Sequence, residues 1–402
     1  MSPEHIVIIG GGLAGAKAAV ALKDGGFEGS LTIVGDEPHP PYERPPLSKE
    51  YLQGSSEADD MLVVPAGWYD QHGVTRLQGV AAERIDREAT QVHLADGRHL
   101  SYDALIIATG ASPRRLDIPG KELALTLRHV EDSDVLRAAY ADASTVVIIG
   151  GGWIGLETAA AARAAGVDTV VLEREPLPLQ HVLGDELAGY FADLHRRNGV
   201  DLRTSVTVES ISGAGPYVVH TDGGDIDADV VVMGVGAAPR TGLADQAGLT
   251  VDNGVIVDES FHSSDPAIYA IGDVANAYNS ARGESLRVEH WDNAIRQGEA
   301  VAKVILGGEL TYDWQPYFFS DQFDLGMEYV GRSSASDELV IRGDKSSGEF
   351  IAFWIADHQM TAGMNVNIWD VSDDLRALIG RRVSGERLAD PDVPLAEVAD
   401  DG

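Results

Sequence analysis

Residues Ile6–Ala19 read IVIIGGGLAGAKAA, and residues Val146–Ala159 read VVIIGGGWIGLETA; the two align at a constant offset of 140 residues. Gly10, Gly12 and Gly15 fall on Gly150, Gly152 and Gly155. Each copy runs from β-branched residues through glycines into an alanine-rich stretch, the pattern of a buried strand, a tight turn and a helix start. The spacing G-x-G-x-x-G has a steric logic. The first glycine permits the turn, the second lets backbone approach a diphosphate, and the third lets helix and strand pack closely. Free N–H groups at the positive end of the helix then face the anion. One such match is weak, because glycines also serve ordinary turns. Two matches in the same context predict two dinucleotide-binding folds, with Ala14 and Ile154 beside the third glycines at the ligand-facing helix starts.

An acidic residue follows each copy. Leu31-Thr32-Ile33-Val34-Gly35-Asp36 places Asp36 21 residues beyond Gly15, and Thr169-Val170-Val171-Leu172-Glu173 places Glu173 18 residues beyond Gly155. A carboxylate at the C-terminal end of a strand accepts hydrogen bonds from an adenosine ribose; alone, either residue would read equally as a solvated strand-end acid. Glu173 would repel a 2′-phosphate, which favours NADH over NADPH, whereas Arg174 beside it is of the type that accommodates one.

Further strands can be read around the repeat. Tyr102–Gly110 is a buried run ending in the small residues Ala108, Thr109 and Gly110, and Asp229–Gly236 is its counterpart. Small residues there let backbone pass close to a cofactor. Antiparallel ribbons are expected between Asp86 and Arg98, turned at Asp96-Gly97, and between Thr204 and Ala228, turned at Gly223-Gly224. After Pro239 the chain returns to the first fold, with a strand ending at Gly272-Asp273 and a helix over Asp292–Leu306. Alternation over Tyr317–Ile355 predicts a sheet, and a helix follows near Leu375–Ile379.

Composition narrows the chemistry. The 402 residues exceed what one core usually serves. No cysteine is present, which excludes disulfides, thiolate metal sites and cysteine redox pairs, and no metal site is expected. The net charge of −34, with six lysines, makes nucleic acid and anionic membranes poor partners. It reads either as a solubility or high-salt adaptation or as a field that steers a partner. No run of about 18 apolar residues suits a membrane helix. The opening strand His5–Ile9 has no basic, leader-like segment before it, so a cytoplasmic protein is expected.

The first glycine motif, Pro41-Tyr42-Glu43-Arg44-Pro45-Pro46-Leu47-Ser48-Lys49, Ala108-Thr109-Gly110, the second motif with Gly155-Leu156-Glu157, Ile271-Gly272-Asp273 and Ser320-Asp321-Gln322 together resemble the FAD-dependent ferredoxin reductases of bacterial oxygenase and cytochrome P450 systems. The resemblance spans essentially the whole chain. The Arg-Pro-Pro-Leu-Ser-Lys and Ser-Asp-Gln segments carry more of its specificity than the glycine motifs. It implies an α/β fold of glutathione-reductase-like architecture: a discontinuous FAD-binding domain (1–110 and 238–312), an NAD-binding domain (111–237), both Rossmann-like, and a smaller α+β C-terminal domain (313–402). It also implies site roles. Asp36 would hold the FAD ribose, Val80 would offer backbone to the adenine, and Arg44 and Lys49 would approach the flavin. Arg128 and Asp273 would contact FAD, Trp291 and Glu289 would lie near the isoalloxazine, and Gly236 would line the nucleotide. Glu157 would approach the nicotinamide and pair with Lys49. Well-known relatives carry Trp where this chain has Phe319, so an indole N–H donor is lost there.

The implied activity is hydride transfer from NADH to FAD, then single-electron delivery to a separate [2Fe–2S] ferredoxin serving a P450 or Rieske oxygenase. Such transfer needs no general base, so His129, His181 and His290 read as packing or surface residues, and Trp68 and Trp153 as structural, with Trp153, inside the second glycine motif, also open to contact with the nicotinamide cofactor. Two arginine groups offer docking islands for an acidic ferredoxin: Arg376, Arg381, Arg382 and Arg387, or Arg282, Arg287 and Arg296. Rubredoxin reduction, NADH oxidation by oxygen, and a redox-responsive binding role like that of the apoptosis-inducing-factor flavoproteins stand as alternatives.

Overall fold

The computed structural model describes residues 3–399, and the chain divides into two compact units. The first comprises the N-terminal segment through Arg44, Ala58–Ser112 and Ala237–Trp314. The second comprises Pro45–Glu57, Pro113–Gly236 and the chain from Gln315 onward.

The first unit is built on a parallel sheet ordered Ile268–Ala270, Ala104–Ile107, His5–Ile9, Ser30–Val34, Val74–Leu77. Continuous apolar runs suit strands covered on both faces, and every residue of Ile6–Ile9 is buried. The helix Leu13–Asp24 lies against the helix Trp291–Ile305. Gly298 makes that approach feasible, since a Cβ there would sit 2.8 Å from the Ala14 carbonyl oxygen. A three-stranded antiparallel ribbon, Ala82–Asp86, Gln91–Leu94 and His99–Ser101, covers the expected Asp86–Arg98 stretch and extends beyond both of its ends.

The second unit repeats the scheme with a parallel sheet ordered Val200–Arg203, Asp168–Leu172, Thr145–Ile149, Val230–Met233. Its ribbon is Val208–Gly213, Tyr217–Thr221 and Gly224–Ala228. The repeat reaches into strand register: His5 pairs Ser30 through to Ile9 with Val34, and Thr145 pairs Asp168 through to Ile149 with Leu172. It also extends to a clamp not apparent from the glycine motifs. Asp103 accepts the backbone N–H groups of Glu4 and His5 at 2.8 Å each. Asp229 does the same for Ser144 and Thr145, at 2.8 and 3.0 Å.

The tail forms a five-stranded antiparallel sheet ordered Tyr317–Gln322, Leu325–Gly331, Gln359–Val366, Glu349–Ala356, Glu338–Asp344. Residues 45–57, expected with the first fold, pack in the second unit, and the C-terminal domain packs there too: Leu52, Leu156, Phe191, Met327, Phe350 and Trp354 contribute to one apolar core. A second core under the helix Ser372–Leu378, with Phe353, Leu375 and Leu388, completes the tail.

Candidate active site

In both units the glycine loop is fixed by backbone crowding. A Cβ on Gly10 would lie 2.0 Å from the Ala108 carbonyl oxygen, and one on Gly150 would lie 2.4 Å from that of Gly234. Gly15 and Gly155 pack as closely, at 2.3 Å from the Gly10 oxygen and 2.1 Å from the Gly150 oxygen. Gly12 and Gly152 differ: nothing lies within 4 Å of a Cβ at Gly12, and the nearest atom at Gly152 is 4.0 Å away. These two are the N-caps of Leu13–Asp24 and Trp153–Ala164, and neither helix has a side-chain cap. Each unit therefore presents an open helix N-terminus with N–H groups available to a diphosphate, the fit that two bound dinucleotides require.

In the first unit a cleft with about 300 Å³ of empty space, open to solvent, is lined by Gly11, Asp36, Glu37, His39, Arg76 and Gln78 among others. Asp36 accepts from Arg240 at 2.6 Å. Glu37 takes the Arg44 guanidinium at 2.6 Å and also the Tyr42 hydroxyl. Nη1 of Arg76 is buried without a hydrogen-bond partner among the described residues, a donor suited to a purine or ribose. The Val80 N–H is given to the Gly35 carbonyl at 3.0 Å. Ala108 is buried at the sheet edge, Thr109 donates its hydroxyl to the Arg240 carbonyl at 2.9 Å, and the Gly110 carbonyl accepts the Arg240 N–H at 2.9 Å. Asp273 sits in the 3₁₀ turn Gly272–Val274, and Glu289 is paired with Arg287. Trp291 opens the helix capped by His290, whose imidazole burial pushes down to about 4 against the opposing charge of Asp273.

In the second unit Glu173 reaches the glycine loop, taking the Gly151 N–H at 2.6 Å and the Glu175 N–H at 2.8 Å. By strand register its counterpart in the first unit is Gly35, since Val34 and Leu172 are the paired strand ends. Asp36 thus lies one residue further past its strand end than Glu173 does, two residues beyond Val34 against one beyond Leu172. Arg174 is mostly exposed and pairs with Glu175 at 3.0 Å. Gly236 adopts φ +97° and its carbonyl accepts the Arg114 N–H at 2.8 Å. The Arg128 N–H is donated to Asp132 at 2.9 Å. Ile154 is 46% exposed at the helix start, an apolar surface beside the open N-terminus.

Lys49 and Glu157 come together here. Proline stiffens the 3₁₀ turn Pro45–Ser48, and the Lys49 N–H closes onto the Pro46 carbonyl at 3.0 Å. The Lys49 Nζ lies 3.7 Å from Glu157, 3.0 Å from Asp321 and 4.1 Å from the Phe319 ring centre. The Phe319 ring thus backs the ammonium through a cation–π contact. Glu157 stands just beyond the first helical turn and is 5% exposed. Its two oxygens accept the hydroxyls of Ser48 at 2.5 Å and Ser320 at 2.6 Å. Burial pushes its carboxyl up, Lys49 and the two hydroxyls oppose that, and Asp321 adds to it. Ser48, Ser320, Asp321, Gln322 and His195 were not assigned site roles from sequence. The alternation of Tyr317–Gln322 was the usable signal for Ser320 and Gln322, which share its buried face while Asp321 is exposed.

Among the described residues no group of His, Cys, Asp and Glu is arranged to hold a metal ion, and no helix is long and apolar enough to cross a membrane. Each unit carries an open glycine-loop helix N-terminus, and the second unit also holds the buried Lys49–Glu157 pair, the features of a pyridine-nucleotide flavoprotein. A family model described as pyridine nucleotide-disulphide oxidoreductase matches residues 4–298, and one described as reductase C-terminal matches residues 317–399. The chain belongs to the pyridine nucleotide-disulphide oxidoreductase family. Within it, the likeness is to ferredoxin reductases. Rhodocoxin reductase of Rhodococcus erythropolis is 40% identical over 367 residues, covering 90% of this chain and 86% of its own length. Putidaredoxin reductase of Pseudomonas putida is 33% identical, covering 98% and 96%. Among solved structures, the covalent putidaredoxin reductase–putidaredoxin complex matches with a TM-score of 0.94 at 33% identity over 98% of both chains. The ferredoxin reductase for the CYP199A2 system of Rhodopseudomonas palustris matches at 0.95 and 35% identity, over 99% of this chain and all of that one.

Proposed function

We propose that this chain is an FAD-dependent NADH:ferredoxin reductase that passes single electrons to a separate [2Fe–2S] ferredoxin, which in turn serves a cytochrome P450 or Rieske oxygenase. The observation that carries the reading is a pair of open glycine-loop helix N-termini in a chain with no cysteine. The disulphide in the family's description has no counterpart here, so electrons leave to an external acceptor. FAD, when bound, supplies the conversion of a two-electron hydride into one-electron deliveries.

The protein's share is binding and orientation. Residues 1–110 and 238–312 are assigned to FAD, with Asp36, Val80, Ala108, Thr109, Gly110, Asp273, Glu289 and Trp291 as its contacts. Residues 111–237 are assigned to NADH, with Ile154, Glu157, Glu173 and Gly236. Arg44 holds Glu37 in place at the cleft, and Arg128 joins the FAD contacts. Phe319 shapes the nicotinamide site through Lys49. Lys49 brings a fixed positive charge that favours electron-rich states nearby, while Glu157 keeps that charge balanced. Hydride transfer leaves no proton to remove from the reacting carbon, and the buried imidazoles of His195 and His290 stay neutral near pH 7.

NADH is preferred over NADPH because the Glu173 carboxylate stands at the loop and Arg174 is taken by Glu175. For ferredoxin docking the C-terminal island is the better supported. Arg381, Arg382 and Arg387 are exposed, whereas Arg287 and Arg296 pair with Glu289 and Asp292. The absence of cysteine, and of a candidate spanning helix among the described residues, fits a cytoplasmic setting. The test is steady-state reduction of an added [2Fe–2S] ferredoxin with NADH and with NADPH. Ferredoxin-dependent turnover with NADH supports the reading. Turnover that ignores ferredoxin and consumes oxygen would assign an oxidase instead.

A further inference from the structure

Behind Glu157, a file of buried side chains leads away from Lys49. Ser320 Oγ is 2.6 Å from Glu157 Oε1, Gln322 Nε2 is 3.0 Å from Ser320 Oγ, and His195 Nε2 is 2.8 Å from Gln322 Oε1. Relative exposures are 5% for Glu157, 0% for Ser320, 1% for Gln322 and 0% for His195. The groups arrive from three elements of the second unit: the helix Trp153–Ala164, the strand Tyr317–Gln322 and the helix Gln180–Arg197. The Phe323 ring meets the imidazole edge-on at 5.1 Å.

Such a file admits two directions. In one, His195 Nε2–H donates to the Gln322 oxygen, the Gln322 amide donates to Ser320, and Ser320 donates to Glu157, which must then be an ionised acceptor. In the other, the Gln322 amide is turned over and every bond reverses: a protonated Glu157 donates to Ser320, Ser320 donates to the Gln322 oxygen, the Gln322 amide donates to His195 Nε2, and His195 holds its proton on Nδ1. The imidazole decides between them. His195 Nδ1 is buried with no hydrogen-bond partner among the described residues. A neutral imidazole carries one N–H, and a buried N–H without an acceptor is costlier to leave than a bare ring nitrogen. The proton therefore belongs on Nε2, and the file points toward Glu157. Burial keeps the ring neutral by pushing its pKa down to about 4, with the Gln322 bond opposing.

We propose that His195 and Gln322 are positioning residues that fix the direction of this hydrogen-bond chain and thereby hold Glu157 as an acceptor-only carboxylate opposite Lys49. The inference deepens the reductase reading and rests on it for its functional meaning. The groups that face the carboxylate are Lys49, Ser48 and Ser320, with Asp321 beyond Lys49 and His195 acting through Gln322.

The test is an infrared pH titration of the oxidised, FAD-loaded protein, following the protonated-carboxyl stretch that Glu157→Gln removes. His195→Phe keeps a flat ring against Phe323 but deletes the donor. The Glu157 midpoint is expected to rise by about one pH unit, the scale of a weakened hydrogen bond to a charged acceptor. Gln322→Leu, a second route if the first variant folds poorly, is expected to do the same, and Ser320→Ala at least as much. A midpoint that moves in Ser320→Ala but stays put in both His195→Phe and Gln322→Leu would overturn the proposal, leaving Ser320 to act alone. Bleaching of wild-type flavin by NADH tests the reductase reading separately, since the titration requires no turnover.

Discussion

Lys49 is held by Glu157, Asp321 and the Phe319 ring, and removing its charge strands a buried carboxylate. Lys49→Met is expected to slow NADH-driven flavin reduction about 100-fold, the low end of the range for deleting one fixed electrostatic group, and to raise the Glu157 midpoint because the opposing charge is gone. Rapid-reaction kinetics and the infrared titration check the two halves. Asp321→Asn should cost far less, since that carboxylate is 46% exposed and screened. Glu173→Ala is expected to narrow the preference for NADH over NADPH, measured as the ratio of kcat/KM values. Lys49 and Glu157 were legible because they lie inside motifs with a family resemblance. His195 was not: it is one polar residue on a long helix, 127 positions from Gln322, and only the fold brings the two together.

Among the elements, the repeated strand–loop–helix was the clearest feature of the sequence, because glycine spacing and strand hydrophobicity are both local. The clamps at Asp103 and Asp229 were not legible in the sequence, since each bonds to a strand far off in the chain. Asp36 and Glu173 read as equivalents from spacing, yet register sets them one residue apart. The glycine loops give a reciprocal prediction. Gly15→Ala forces a Cβ against the Gly10 carbonyl and is expected to weaken FAD retention, whereas Gly155→Ala does the same against Gly150 and is expected to weaken NADH binding while flavin stays bound. An overpacking cost of this kind corresponds to about tenfold or more in affinity; flavin content and nucleotide titration separate the two. In the tail, Glu328 accepts from Tyr317 at 2.6 Å, Ser372 at 2.7 Å and Asn365 at 2.8 Å. Burial, which would raise its pKa, is outweighed by these bonds and Arg376, so its carboxyl titrates below the usual range. A carboxylate lowered in the folded state adds stability above its unfolded value and loses it as pH falls through the folded one. Glu328→Gln is expected to cost about 1–2 kcal/mol at pH 7, a gap that closes on acidification from about pH 5 downward; denaturant midpoints at a series of pH values check it.

For the whole molecule, the net charge of −34 implies self-repulsion that counterions relieve, so Tm is expected to rise with added sodium chloride. A like-charged ferredoxin must then find a local positive patch. Reversing Arg381 and Arg382 to Glu is expected to lower ferredoxin-dependent rates while leaving NADH-driven bleaching intact, and to weaken their salt dependence. Composition excludes thiol chemistry, but it could not show that the tail shares a core with residues 113–236, because that depends on long-range packing of Leu52, Leu156 and Trp354. The most direct measurement is anaerobic stopped-flow mixing of the purified, flavin-loaded protein with NADH, followed by mixing with oxidised [2Fe–2S] ferredoxin. On the reductase reading, flavin bleaches rapidly and its absorbance then recovers rapidly as the ferredoxin is reduced. Slow reduction, or a lasting charge-transfer band with no electrons reaching ferredoxin, would contradict it and point to a redox-responsive binding protein.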